Sequence, residues 1–412
     1  MQHISSLPPT VDKIRHHPLS SALYHDDKAR LNFLTVLNTH LGRSMAPYIQ
    51  LAFEHESKPL YKKQYGRPPK TSKEVRDALK SNQTYQTWSA LRRDTQESSQ
   101  RATRYIALLC AKSVLKKIKL LRLETSKLKL NPSLQIPMYQ TAIDNHLMPG
   151  SYFWEQNSND ITAAINYELS LFPVGGASFG PFGDGAGRAV SKFLSHKFPK
   201  FSPQKILDLG GGIGINTIAL AKNFPNAEIC VIDTAAPMLR YGHAIAHAMG
   251  YKNISFVQAN AEDIKTPHNN YDLITSIMFW HETSSRTITS VLPNIYNLLK
   301  PNGITIHLEQ PNFNSSSSPF SRFMQNWDAY YNNEPFWQKF HQINMLIKME
   351  ESGFIKSKIF EAGTEVDIEQ DYFQKWSNVV ARHKHETSLQ NIRQKNTSGY
   401  NGERWWLFGA RK

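Results

Sequence analysis

Ile206-Leu207-Asp208-Leu209-Gly210-Gly211-Gly212-Ile213-Gly214 is the stretch on which the reading of this 412-residue chain turns. A short apolar run carries an acid and ends in four glycines within five positions. Glycines directly behind a strand let the backbone turn sharply and pass close to a ligand. The dinucleotide fingerprint G-x-G-x-x-G does not fit, because its third glycine falls on Ile215 counted from Gly210 and on Thr217 counted from Gly212. An acid at Asp208 also sits poorly beside a pyrophosphate. It suits a ligand carrying an ammonium group.

Downstream of this stretch the pattern alternates between strands and helices. The strand at 205–209 is followed by a helix at 215–223, a strand at 228–233 and a helix at 237–249. Further strands are predicted at 254–259, 271–278, 303–309, 354–360 and 405–410, with helices at 286–299 and 345–352. Such alternation predicts an α/β fold, a Rossmann-like doubly wound sheet of seven strands. In such sheets ligands bind past the carboxyl ends of the strands, at the switch point.

Upstream, residues 28–56 and 72–130 read as helices. In the second, Ala107, Leu108, Ala111, Leu115, Ile118 and Leu121 recur at helical spacing between lysines. The expected division is a basic helical N-terminal domain at 1–150, acting as lid, substrate or dimer element. A glycine-rich connection at 151–201 leads to a catalytic domain at 202–412, with insertions at about 311–340 and 362–403.

Several residues beyond the glycines are placed for a nucleoside ligand. Asp233 ends the second strand and can accept both ribose hydroxyls through charge-assisted bonds, worth roughly 1.5–3 kcal/mol each. Met238 can lie against an adenine face, and Asn260, with a backbone amide nearby, can bond its edge. Thr234, Ala261, Glu262 and Met278 complete the expected cofactor-binding set with Asp208, Gly210, Gly211, Gly212 and Gly214.

At these residues the chain resembles the class I S-adenosylmethionine-dependent methyltransferases, through ILDLGGGIG, CVID, VQANAED, YDLI and LKPNGITIHLE in order. The resemblance is close over 202–309 and looser in the last strands. It also extends to uncharacterised bacterial members with a helical N-terminal extension. It implies S-adenosyl-L-methionine as cofactor and S-adenosyl-L-homocysteine as product, with the Asp208–Gly214 loop on the methionine part, Asp233 on the ribose and Asn260–Glu262 on the adenine. Asn260 stands where the family often has an acid, which shifts the adenine contact toward Glu262 or Asp263. The family usually joins the last two strands by a tight hairpin, whereas about 40 residues separate them here.

Methyl transfer is an in-line displacement that rests mainly on positioning. Ser276-Ile277-Met278-Phe279-Trp280-His281-Glu282 follows the fourth strand, where the acceptor approaches. His281 is the candidate base and Glu282 its orienting partner, similar to the His-Asp pair of small-molecule O-methyltransferases. Phe279, Trp280, Trp327, Tyr331 and Trp337 are candidate walls of an acceptor pocket, or else ordinary core. The leading expectation is a small-molecule acceptor methylated at oxygen.

Charge supplies the runner-up. Residues 1–150 hold 24 Lys+Arg against 11 Asp+Glu, or +13, and residues 151–412 hold 24 against 23, or +1. A basic half is either a solvated helical face or a footprint for nucleic acid, which makes an RNA or tRNA methyltransferase the alternative. Against it, no Asn/Asp-Pro-Pro-Tyr/Phe run follows the fourth strand. A non-catalytic cofactor-binding module is the third reading. Two cysteines, Cys110 and Cys230, imply neither a disulfide framework nor a metal cluster. No signal peptide and no membrane span are read, so a cytoplasmic protein is expected, with a homodimer as a candidate assembly.

Overall fold

The computed structural model describes residues 8–313, 317–367 and 405–412. Its strands are β1 (Leu128–Lys129), β2 (Lys205–Leu209), β3 (Glu228–Asp233), β4 (Ile254–Gln258), β5 (Tyr271–Ile277), β6 (Leu299–Glu309), β7 (Ile359–Thr364) and β8 (Trp405–Arg411). They form one sheet in the order β1-β4-β3-β2-β5-β6-β8-β7. The central pairings are parallel, and β8 runs antiparallel between β6 and β7. Residues 206–209 are buried, as expected for a strand covered on both faces. Alternate residues supply opposite layers: Ile206 joins one apolar cluster with Ile218 and Leu273, and Leu207 joins another with Ile274 and Val291.

The sheet has eight strands where seven were expected. The addition is β1, whose Leu128 and Lys129 pair in parallel with Phe256 and Val257 at the β4 edge. Two residues are too few to show an alternating pattern. They also fall within the span that reads as a helix to residue 130, but that helix stops at Leu120, and Leu121 is extended. The expected 354–360 strand lies later, at β7, because Phe354 is a core residue and Lys356–Lys358 form a helical turn. Most of the expected 362–403 insertion, from residue 368, lies outside the described residues, as do residues 314–316 of the insertion at 311–340.

The helices used below are α1 (His25–His40), α2 (Gln83–Leu120), α3 (Thr162–Val174), α4 (Gly185–Lys197), α5 (Ile215–Asn223), α6 (Ala236–Ala248) and α7 (Ser285–Leu298). The expected 72–130 helix is divided. A first helix, Ser72–Leu79, is capped by Thr71, and α2 begins afresh where the Asn82 side chain accepts the Tyr85 amide. Along α2, Ala107 and Val114 are buried while Leu108 faces solvent. Leu19, Ala107 and Val114 share one cluster with Ile206 and Leu273, so the N-terminal helices and the sheet pack around a continuous core. The glycine-rich stretch near residue 180 leads directly into α4, which packs on α5.

No helix among the described residues is long and apolar enough to cross a membrane. No group of three or more His, Cys, Asp or Glu side chains among them is placed to hold a metal ion.

Candidate active site

The parallel neighbours β2 and β5 send their chains in opposite directions across the sheet, and the cavity opens at their carboxyl ends. Its volume is about 680 Å³. The loop after β2 turns through left-handed angles at Gly210 (φ 64°), Gly212 (φ 55°) and Gly214 (φ 72°). The amides of Gly210 and Gly211 donate to the Ile232 carbonyl at 2.8 and 3.2 Å. A Cβ at Gly210 would stand 2.5 Å from the Phe279 ring, whereas one at Gly212 would meet no protein atom within 4 Å. Gly210 and Gly212 line the cavity, and Gly214 caps the start of α5.

Asp208 lies beneath this loop and does not line the cavity. Its carboxylate accepts the Thr217 hydroxyl at 2.5 Å and is 2% exposed. Burial pushes its pKa up to about 7, against the stabilising Thr217 bond. An ammonium group was expected beside Asp208; instead the carboxylate is committed to bracing the loop against α5.

Asp233 is in the cavity wall. Its two oxygens accept the Gly212 amide at 3.0 Å and the Ala235 amide at 2.9 Å, tying the two strand-end loops together. Burial raises its pKa to about 6 despite those bonds. Thr234, Met238, Asn260, Ala261 and Met278 also line the cavity. Thr234 donates its hydroxyl to Gln140 Oε1 at 2.9 Å, which brings the N-terminal part over this end. Asn260 turns its carbonyl oxygen back to the Glu262 amide, and Glu262 itself points away to Ser290 and Thr287 of α7. Gly211, Gly214 and Glu262 therefore stand behind the lining.

Bare backbone at Gly210 and Gly212, a carboxylate at Asp233 and the apolar Met238 and Ala261 converge on one cavity. That donor set fits a nucleoside carrying a methionine tail: hydroxyls toward Asp233, adenine toward Met238 and Ala261, and the tail along the glycine backbone.

His281 occupies the turn after β5 and is 3% exposed. Its partner is not Glu282. Nδ1 bonds Glu309 Oε2 at 2.5 Å, and Glu309, the fully buried last residue of β6, also accepts the amides of Phe279 and Trp280 at 2.9 and 2.6 Å. Side chains of adjacent residues in a tight turn diverge, so Glu282 leaves in another direction and meets His146 at 3.0 Å and the Tyr152 hydroxyl at 2.8 Å. Burial disfavours charge on His281, but the Glu309 carboxylate outweighs it and raises the pKa to about 9. No hydrogen bond to Nε2 is found among the described residues, and Trp337 stands edge-on to the ring at 4.7 Å.

Of the aromatic candidates, Phe279 and Trp337 line the cavity. Trp280 is fully buried behind the turn. Trp327 is core, edge-on to Trp88 at 5.6 Å, and Tyr331 packs against it at 5.3 Å. Sequence reasoning missed Glu309, whose signal was an acid ending an apolar strand. It also missed His146, Tyr152 and Tyr167, cavity residues of the stretch read as connection and linker. The glycine-rich stretch does reach the cavity, through Phe179 and Gly183.

Residues 206–303 match the family model described as a methyltransferase domain. The ubiquinone/menaquinone biosynthesis C-methyltransferase UbiE of Psychromonas ingrahamii is 33% identical over 108 residues, 26% of this chain and 42% of that protein. The ribosomal RNA small subunit methyltransferase G of Streptococcus pyogenes is 26% identical over 125 residues, 30% of this chain and 48% of that one. The chain thus spans less than half the length of these curated relatives. Among solved structures, phosphoethanolamine N-methyltransferase 2 of Haemonchus contortus with S-adenosyl-L-methionine has 16% identity and a TM-score of 0.37, covering 54% of this chain and 51% of that one.

Proposed function

We propose that this chain, whose residues 206–303 match a methyltransferase-domain family model, is a class I S-adenosylmethionine-dependent methyltransferase that methylates a hydroxyl of a small molecule held in the cavity. The observation that carries the reading is the His281–Glu309 pair, with Nδ1 fixed at 2.5 Å and Nε2 left for an acceptor. Bound S-adenosyl-L-methionine supplies an electrophilic methyl group on a sulfonium. Gly210 and Gly212 leave room for its backbone approach, and Asp233 receives the ribose hydroxyls. His281 Nε2 takes the proton of the acceptor hydroxyl, and Glu309 holds the resulting imidazolium against loss of water contact. Base assistance of this kind contributes about 10²–10⁴-fold.

Lining drawn from both halves of the chain favours a small acceptor. Trp88, Gln100, Tyr152 and Tyr167 of the N-terminal part line the same cavity as Gly210 and His281. These residues, 1–150 with the following connection, act as its lid. A screen of hydroxyl-bearing small molecules, read by release of S-adenosyl-L-homocysteine, tests the proposal. Turnover confined to amines, carbon acids or RNA would replace the oxygen reading.

A further inference from the structure

A second ionic cluster lines the cavity and has no part in the mechanism above. His146 presents Nε2 to Glu282 Oε1 at 3.0 Å and Nδ1 directly to Glu334 Oε1. Tyr152 donates its hydroxyl to the same Glu282 oxygen at 2.8 Å. Both imidazole nitrogens face carboxylate oxygens; burial raises the Glu334 carboxyl and His146 counters it, and where both carboxylates are ionised the ring carries a proton on each nitrogen. Burial opposes that charge, and Glu334 and Glu282 reverse the balance and hold the proton well above the ordinary histidine range.

The cluster joins three distant segments. His146 and Tyr152 come from the stretch between β1 and α3, Glu282 from the turn after β5, and Glu334 from the insertion between β6 and β7. His146 and Leu147 both hold a left-handed φ of 56°. Non-glycine residues adopt that conformation only where their surroundings impose it. Here the imposed geometry aims one imidazole between two carboxylates.

The charged groups acting on His281 are Glu309 from β6, Glu282 from its own turn and Glu334 from the insertion, each of which favours its proton. His341 from the insertion, a neutral imidazole, also lines the cavity. His146 is the cation already paired with two of the three carboxylates. We propose that His146, supplied by the N-terminal half, is a positioning residue that offsets part of the negative charge of Glu282 and Glu334 and thereby sets how tightly His281 holds its proton. With His146 seated, the pull of Glu282 and Glu334 on His281 is partly offset, and Glu309 is the direct partner of the base. Without it, two stranded carboxylates add their pull on the His281 proton, and the base is released less readily. The N-terminal part then does more than cover the cavity: its seating adjusts the base.

The inference rests on His281 being that base, and the test separates the two. In protein labelled with carbon-13 at histidine Cε1, the His281 resonance is identified by its loss in His281→Asn and titrated over about pH 6–11. In His146→Gln the His281 midpoint should rise by at least about half a pH unit, and in Glu334→Gln it should fall. If His146→Gln does not fold, His146→Asn is titrated in its place, with the same rise expected. An unchanged midpoint in a folded variant overturns the proposal. A purely structural His146 would alter the melting temperature and leave the midpoint in place. Calorimetry of the parent protein with S-adenosyl-L-homocysteine reports separately on the methyltransferase reading, since absent binding defeats that reading whatever the midpoints do.

Discussion

Glu309 reaches back from the end of β6 to hold His281 Nδ1 at 2.5 Å, and with its other oxygen it fixes the two backbone amides that precede His281. One carboxylate thus sets both the tautomer of the imidazole and the path of the turn that carries it. The relationship changes what is expected of pH. An isolated histidine gains its proton near pH 6.5, but Glu309 raises the His281 value to about 9. A base must be unprotonated to act, so turnover should climb through neutrality, reach half its maximum near pH 9 and level off only above it. Glu309→Gln should bring the midpoint of that profile down toward the ordinary histidine range. A profile already flat between about pH 7 and 9 would remove His281 as the base.

Stability should run the other way. The folded pKa of His281 lies above its unfolded value, so its contribution is complete below pH 6.5 and is lost as pH rises through about 9. The melting temperature should therefore decline over the range in which activity rises. His281→Ala should lower turnover by about 10²–10⁴-fold with cofactor affinity within a few-fold. If His281 is only structural, the rate loss will track the unfolded fraction.

Asp233 does two things, and its variants should report both. It offers acceptors to the cavity while anchoring the Gly212 and Ala235 amides. Asp233→Ala should weaken S-adenosyl-L-methionine and S-adenosyl-L-homocysteine by about 10–100-fold in calorimetry. Because burial raises its pKa to about 6, affinity in the parent should also fall as pH drops below that value. Unchanged affinity in the variant would take Asp233 out of the site.

The glycine loop permits a sharper comparison. At Gly210 an added methyl meets the Phe279 ring at 2.5 Å, so Gly210→Ala should lose stability and cofactor binding together. At Gly212 it meets no protein atom within 4 Å and projects into open space. Gly212→Ala should then keep most of its stability, losing roughly the 1–2 kcal/mol of a left-handed residue, while binding fails. Equal thermal losses in the two variants would contradict this division.

The parts of the fold that were legible share a physical reason. Strands β2 to β5 are short, largely apolar runs closed by turn residues, and they pair with one another in the sheet. The left-handed loop announced itself because only glycine occupies such angles freely. What was not legible depends on contacts across long separations. Glu282 and His146 are 136 residues apart, and no local pattern specifies that pairing. Placing Glu282 with His281 assumed that neighbours in sequence point together, which a tight turn prevents. Trp327 illustrates a different limit: an aromatic residue suits a pocket wall and a core equally, and packing against Trp88 decides it.

The net charge of the N-terminal half separates the remaining alternatives. Lys116, Lys117 and Lys119 are exposed at the end of α2, and Lys117 makes a 3.4 Å contact with the Ser20 carbonyl. If these lysines belong to a solvated helical face, reversing all three to glutamate should leave turnover on a small hydroxyl acceptor nearly intact, with a melting temperature close to the parent's. If they form a footprint for RNA, the parent should bind bulk tRNA. Its affinity should then fall steeply with salt, because each neutralised phosphate releases counterions. The triple variant should bind more weakly and with a shallower salt slope. We expect no appreciable tRNA binding at about 150 mM salt, where condensed-ion release gives little advantage to a few surface lysines. Tight, salt-sensitive binding under those conditions, lost in the triple variant, would make the polymer the substrate and the cavity the place where one of its nucleotides is received.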